Sequence, residues 1–327
     1  MVRFGVIGTN WITDHFIDGA SHVEDFSLTA VYSRTQEKAD EFSSKHNGLD
    51  TYTEVEAFAN ATNVDAVYIA SPTSLHKDYA ISCMKKGKHV IVEKPMASNQ
   101  KEVAEMIQVA KDEDVLLMEA MKTTHLPNFD RIQTHLETIA PIRRYVANFC
   151  QYSSRYDKYK AGTVLNAFKP EFSNGATMDI GVYCIYPMVA LFGAPNSVKG
   201  SAYMLESGVD GQGAMTADYD EMNGVAMYSK ITSSNVPSEI QGENGSLVIE
   251  AISDVAKVTL VRKDGSKEDI TVQQHENTMY YEAKAFIELI KNGEKECQIN
   301  SHANSLETMK VLDKVRQDIG VTFPADK

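Results

Sequence analysis

Val64-Asp-Ala-Val-Tyr-Ile-Ala-Ser-Pro-Thr-Ser-Leu-His76, continued through Lys77–Lys86 into Gly87-Lys-His-Val-Ile-Val-Glu-Lys-Pro95, reads as one strand–helix–strand unit. Val64–Ala70 is a near-continuous apolar run, the pattern of a strand covered on both faces. Leu75–Lys86 has helical character, with Ser74 as the expected N-cap and Gly87 as its stop. His89–Glu93 is the next strand. A helical crossover between two buried strands predicts parallel pairing.

The same rhythm extends outward. Val2–Gly8 is a buried strand, followed by a helix through Phe16 and Ala20, a strand at Phe26–Tyr32 and a helix at Gln36–His46. Downstream come a helix at Asn99–Asp112 and a strand at Val115–Glu119. Repeated units of this kind predict a doubly wound parallel sheet of the dinucleotide-binding (Rossmann) type over residues 1–122. After Pro127 the rhythm changes. A helix near Asn128–Glu137, a long strand at Arg143–Tyr152 and an apolar helix at 176–192 precede several strand-like runs between Val198 and Gln273. Turn signals such as Glu243-Asn-Gly245 and Lys263-Asp-Gly265 separate those runs. Helices near Met279–Lys291 and His302–Asp318 close the chain. Residues 123–327 are therefore expected to form an α+β domain on a largely antiparallel open sheet, holding substrate and a partner subunit, with the C-terminal helix packing back on the first domain.

The 327 residues are 43% hydrophobic and 24% charged, the balance of a soluble globular protein. No apolar run reaches membrane-spanning length, the longest being strand-sized, and the N-terminus reads as a strand rather than a signal peptide. A net charge of −13 disfavours nucleic acid. The four cysteines form no CxxC pair, and the histidines have no metal-ligand spacing, so neither a zinc site nor a disulfide framework is expected. Reduced thiols suit a cytoplasmic protein. No Gly-x-Ser-x-Gly or Cys–His arrangement suggests a hydrolase.

The first strand ends in Gly8-Thr9-Asn10-Trp11-Ile12-Thr13. Against G-x-G-x-x-G, Gly8 fills the first place while Asn10 and Thr13 replace the other two glycines. Asn tolerates left-handed φ/ψ best among non-glycine residues, so Asn10 is expected to keep the turn. Free N–H groups at the helix start would receive a pyrophosphate. At the tip of the second strand, where an acid would bind the ribose hydroxyls of NAD, stand Ser33 and Arg34, with Lys38 one turn on. A hydroxyl donor and a guanidinium suit a 2′-phosphate, which favours NADP over NAD while leaving NAD possible.

The Pro72-Thr-Ser-Leu-His76 and Gly87–Pro95 segments, with Gly175-Ala-Thr-Met-Asp-Ile-Gly-Val-Tyr183, resemble the glucose–fructose oxidoreductase/inositol dehydrogenase (Gfo/Idh/MocA) family over nearly the whole chain. The resemblance implies that Lys94 is the active-site lysine, that Glu93 contacts the cofactor, and that Ser71, Pro72, Thr73 and His76 line it. It implies that Asp179 is the acid of a D-x-G-x-H motif. The final His is replaced by Tyr183, the pattern of the dihydrodiol dehydrogenase and NADP-dependent D-xylose dehydrogenase branch.

Chemistry agrees. Asp179 and Tyr183 lie four apart and share a face on a helix. A phenol of ordinary pKa about 10 is a poor base, and a neighbouring ammonium such as Lys94 favours the phenolate. A Tyr–Lys pair can then take an alcohol proton as hydride leaves for nicotinamide. The alternative makes Tyr183 a core aromatic and leaves Lys94 as sole acid/base. His125, Tyr152 and Lys160 are weaker candidates for the substrate pocket. The expected function is hydride transfer between nicotinamide and a C–OH/C=O group of a sugar, polyol or cyclic diol, in a homodimer or higher oligomer assembled through the C-terminal sheet. A regulatory protein that binds cofactor without turnover is the alternative.

Overall fold

The computed structural model describes residues 1–327. In chain order its elements are β1 (Val2–Ile7), α1 (Trp11–Ser21), β2 (Phe26–Tyr32), α2 (Gln36–Lys45), β3 (Asp50–Tyr52), α3 (Val55–Ala59), β4 (Ala66–Ile69), α4 (His76–Met84), β5 (His89–Glu93), α5 (Gln100–Asp112) and β6 (Leu117–Ala120). Then follow α6 (Pro127–Ile139), β7 (Ile142–Cys150), α7 (Ser154–Lys160) and α8 (Val182–Phe192). The rest are β8 (Ser197–Met204), β9 (Asp210–Asp218), β10 (Asn223–Ser229), β11 (Ser238–Gly242), β12 (Gly245–Glu250), β13 (Lys257–Arg262), β14 (Lys267–Asp269), α9 (Met279–Lys291) and α10 (His302–Ile319). The chain forms two units, Met1–Ala120 with His275–His302, and Met121–Gln274 with Ala303–Lys327.

In the first unit the strands lie in the order β3-β2-β1-β4-β5-β6, all parallel. The order reverses at β1, so the carboxyl ends of β1 and β4 flank the topological switch point at which such sheets bind ligands. The apolar runs bury both faces: Phe4, Val6, Tyr68 and Ile91 are inaccessible. Phe16 of α1 stacks on Tyr68 with ring centroids 3.8 Å apart and planes 4° from parallel. Met279, Ala283 and Phe286 of α9 join this core. Gly19 admits α9 closely, since a Cβ there would lie 2.8 Å from the Tyr280 amide nitrogen. Ser74 is not a cap: a 3₁₀ turn at Thr73–Leu75 precedes α4, which starts at His76 without a side-chain cap.

The second unit carries an eight-stranded sheet, β14-β13-β12-β11-β7-β10-β9-β8, antiparallel except for the β7–β10 pair. One face buries Tyr145, Ala147, Met215, Ala226, Tyr228, Ile240 and Leu247. Tyr145 lies beneath α8 and donates from its hydroxyl to the Cys184 carbonyl at 2.9 Å. On the other face Thr216, Val225, Val146, Glu239, Val248 and Thr259 run in register across six strands, all at least partly exposed.

The helical stretch Pro170–Phe192 is, by length and composition, apolar enough to cross a membrane, which corrects the reading that no run reaches that length. It is 72% buried over its most apolar window and serves as the unit's core helix. The segment directly before α8 is not α-helical: Thr177–Gly181 is a π-turn, a wide turn frequent at functional positions.

Candidate active site

Gly8 is required by the fold. Its φ is +110°, and a Cβ there would lie 2.7 Å from the Ala70 carbonyl oxygen at the end of β4. Asn10 is not left-handed as expected; it is extended, at φ −99° and ψ 174°, and works through its side chain. Its Oδ1 accepts from the Ile12 amide at 3.0 Å, capping α1, and its Nδ2 donates to the same Ala70 carbonyl at 2.8 Å. Thr13, in the third glycine place, is fully buried. Trp11, the first residue of α1, is 66% exposed, and Thr9 and Ile12 are partly exposed. The loop thus offers a close backbone approach and a helix N-terminus, the requirements for a pyrophosphate.

At the tip of β2, Ser33 is buried and its amide donates to the Tyr52 carbonyl at 3.0 Å. Arg34 and Lys38 are exposed, and neither forms an ion pair. Two uncommitted cations and the start of α2 make a place for a phosphate, with no carboxylate of β2 in opposition.

Lys94 is the sole residue of Val90–Asn99 that is not buried. The backbone on either side of it is pinned. Glu93 turns inward, accepting from Tyr68 Oη at 2.6 Å and from the Lys94 amide at 3.2 Å. The Met96 amide donates to Glu119 Oε1 at 2.9 Å.

His76 is only 1% exposed and spans two loops, with Nε2 2.9 Å from the Ser71 carbonyl oxygen and Nδ1 3.1 Å from that of Pro95. Burial pushes its pKa down to about 4; backbone contacts with Ser71, Pro95 and Met96 oppose this, and the charge of Lys94 adds to it. A neutral imidazole donates from only one nitrogen, so just one of the two carbonyls receives a hydrogen bond.

In the second unit the stretch Ala176–Val189 is buried except at Asp179 and Tyr183. Tyr183 meets Phe149 edge-on, with centroids 5.5 Å apart. Asp179 Oδ2 pairs with the ammonium of Lys230 at 2.7 Å. The turn that carries Asp179 begins on Asp210, a buried carboxylate that accepts from both the Thr177 amide and hydroxyl at 2.7 Å. Burial pushes the Asp210 pKa up, countered chiefly by those two bonds and more weakly by Lys230. The glycines of the Gly175–Tyr183 segment have steric roles: Gly175, at φ +136°, faces Asp210, and Gly181 lies against the ring of Tyr228.

Sequence reasoning missed Lys230 and its partner Asn174. No motif marks a lysine just after a buried strand. The weaker candidates also have positions. His125 has a shielded Nε2 with no partner, and burial lowers its pKa to about 4. Tyr152 donates to Asp157 at 2.6 Å and Asp157 pairs with Lys160 at 2.9 Å, on the exposed helix α7. No cluster of three or more His, Cys, Asp or Glu side chains can hold a metal ion.

The profile described as oxidoreductase family, NAD-binding Rossmann fold, matches residues 2–121, and the GFO/IDH/MocA C-terminal domain profile matches residues 138–248. The chain belongs to the Gfo/Idh/MocA oxidoreductase family. It is 51% identical, over the whole of both chains, to scyllo-inositol 2-dehydrogenase (NADP(+)) IolU of Bacillus subtilis. It is 27% identical to trans-1,2-dihydrobenzene-1,2-diol dehydrogenase of Xenopus tropicalis, over 98% of this chain and 99% of that one. The fold is shared with KijD10, a 3-ketoreductase from Actinomadura kijaniata solved with NADP and TDP-benzene, at TM-score 0.85 and 23% identity, covering 97% of this chain and 98% of that one. As a Gfo/Idh/MocA protein the chain is a nicotinamide-dependent oxidoreductase.

The buried His76 gives the folded protein a measurable pH dependence. The unfolded chain protonates this ring near its ordinary 6.5, whereas the folded chain resists until about 4. The folded state therefore binds fewer protons in that interval, and stability falls as pH drops from 6.5 towards 4, by roughly 3 kcal/mol from this group. Urea unfolding at several pH values should show a shallower loss in His76→Gln than in the wild type. Identical slopes would reject a buried neutral ring.

Proposed function

We propose that this chain is an NADP-dependent dehydrogenase of a cyclic polyol or related sugar, in which Lys94, Asp179 and Tyr183 are the catalytic set. The burial pattern carries this reading: in two otherwise buried stretches, only these three side chains reach solvent. The name of the Bacillus subtilis relative, scyllo-inositol 2-dehydrogenase (NADP(+)), supports the substrate class and the cofactor.

The first unit takes the dinucleotide and the second the substrate. The turn at Gly8, too tight against the Ala70 carbonyl for any side chain, and the N-terminus of α1 that follows it fit a dinucleotide backbone. Thr9, Asn10, Trp11 and Ile12 hold its pyrophosphate, Ser33, Arg34 and Lys38 its 2′-phosphate, and Ser71, Pro72, Thr73 and Glu93 line the remainder. His76, with both ring nitrogens against protein carbonyls, serves this site by holding the Ser71 and Pro95 loops together. When bound, nicotinamide supplies the two-electron acceptor for the carbinol hydride. The chain manages the proton: Tyr183 and Lys94 take it from the substrate hydroxyl during oxidation and return it during reduction. Asp179 accepts a hydrogen bond from a ring hydroxyl and so orients the polyol.

Scyllo-inositol should be oxidised with NADP⁺, read as NADPH absorbance, more efficiently than members of an aldose panel. Lys94→Ala should lower kcat by about 10² to 10⁴-fold while NADPH affinity changes little. Turnover preserved in that variant would remove Lys94 from the mechanism.

Arg34→Glu should raise KM for NADP⁺ by about tenfold or more and leave KM for NAD⁺ nearly unchanged. Trp11 fluorescence should be quenched by NADPH more than by NADH at equal concentration. Equal responses would refute the preference for the 2′-phosphate.

The in-register face of Thr216, Val225, Val146 and Val248 supports a homodimer or higher assembly through the eight-stranded sheet. Light scattering should give at least twice the mass of one chain, and Val225→Lys should lower it. A wild-type monomer at micromolar concentration would end this reading. Four free cysteines, three of them buried, suit a cytoplasmic location.

A further inference from the structure

Lys230 directly follows β10 and is 2% exposed, an expensive place for an ammonium. Its Nζ has three acceptors: Asp179 Oδ2 at 2.7 Å, the Ala167 carbonyl at 3.0 Å and Asn174 Oδ1 at 3.2 Å. The ammonium also lies 5.1 Å from the centroid of the Phe168 ring. The backbone is fixed as well: the Lys230 amide donates to Gly211 and its carbonyl accepts from Ser153, both at 2.9 Å.

The pair is asymmetric. The lysine is enclosed, whereas the Asp179 side chain is 35% exposed. Holding a backbone carbonyl and an amide oxygen needs only a neutral donor. A full charge in this position is accounted for by the carboxylate it meets. Asp179 also sits at the centre of the π-turn, whose first residue is bonded to the buried Asp210. The turn is thus gripped at Thr177 from the sheet side and at Asp179 by Lys230.

We propose that Lys230 is a positioning residue: it fixes the carboxylate of Asp179 in one orientation, so that this carboxylate meets a substrate hydroxyl without first reorganising. The inference rests on the reading of Asp179 as part of the catalytic set. Lys230 is a positioning residue rather than a catalytic one and acts on the reaction through Asp179, while its charge also steadies the buried Asp210 carboxylate.

A double-mutant cycle tests it, with Lys230→Met, Asp179→Asn and the double variant assayed for kcat and KM with scyllo-inositol and NADP⁺. NADPH binding and thermal melting serve as controls for folding. The expected result is a loss of at least about tenfold in kcat/KM for Lys230→Met in the wild-type background, shrinking to about twofold or less on Asp179→Asn. NADPH affinity should be unchanged throughout. Equal losses in both backgrounds, with Asp179→Asn itself damaging, would overturn the positioning role and leave the catalytic reading of Asp179 intact. A silent Asp179→Asn would remove Asp179 from the mechanism and the inference with it. Lys230→Gln, which keeps a donor but not the charge, is carried in parallel in case the Met variant misfolds. If neither variant folds, Lys230 is a structural brace and the proposal falls.

Discussion

The first unit depends on one close approach, between the turn after β1 and the carbonyl of Ala70 at the end of β4. A side chain at position 8 would collide with that oxygen. Because the turn lies so near, Asn10 can donate to the same carbonyl while capping α1. The next carbonyl, Ser71, contacts His76, whose other nitrogen contacts Pro95 beside Lys94. On the far side, Met96 is tied to Glu119 at the end of β6. A line of polar contacts therefore runs along the carboxyl edge of the parallel sheet, from the glycine turn to the lysine. Parallel strands end with their carbonyls unpaired at that edge, and the side chains that satisfy them also set the lysine backbone in place.

The second unit solves a different problem, which is to present two polar groups from a helix that is otherwise core. The π-turn, the buried Asp210 cap and the glycines at 175 and 181 allow the segment to seat against Tyr228 and the β9–β10 hairpin. Asp179 and Tyr183 then emerge one turn apart while Ile180, Val182 and Cys184 fill the interior. Burial of an acid at position 210 is tolerated because it accepts two bonds from Thr177, with Lys230 close enough to reinforce the charge.

Much of this was legible in the residues alone. Apolar runs such as Val64–Ala70 and His89–Glu93 carry the period of doubly buried strands, so the parallel sheet followed from them. Lys94, Asp179 and Tyr183 stood out because the segments Gly87–Pro95 and Gly175–Tyr183 resemble those of the Gfo/Idh/MocA family. Lys230 did not, since its burial is set by packing among segments far apart in sequence: residues 167, 174 and 179 meet it only after folding. Asn10 was found for the wrong reason, because a side-chain cap and a left-handed backbone leave the same trace in a sequence. β3 was missed because three residues at a sheet edge have no period to detect. The π-turn was invisible too, since its pattern of apolar residues is that of an ordinary helix.

The membership of α9 in the first unit bears on how the protein is made. Its Phe286 ring lies 6.0 Å from that of Phe4, and Met279, Ala283 and Ile287 share the same core, so β1 is not fully covered until residues far downstream of it have been synthesised. On the ribosome, the six-stranded sheet must wait for them with part of its interior open to water. A fragment ending after β6 would keep every residue of the glycine turn and still lack the wall behind Phe4 and Phe16. The nucleotide-binding half of this enzyme is thus a unit in space without being a unit in sequence, and it cannot be excised by a single cut.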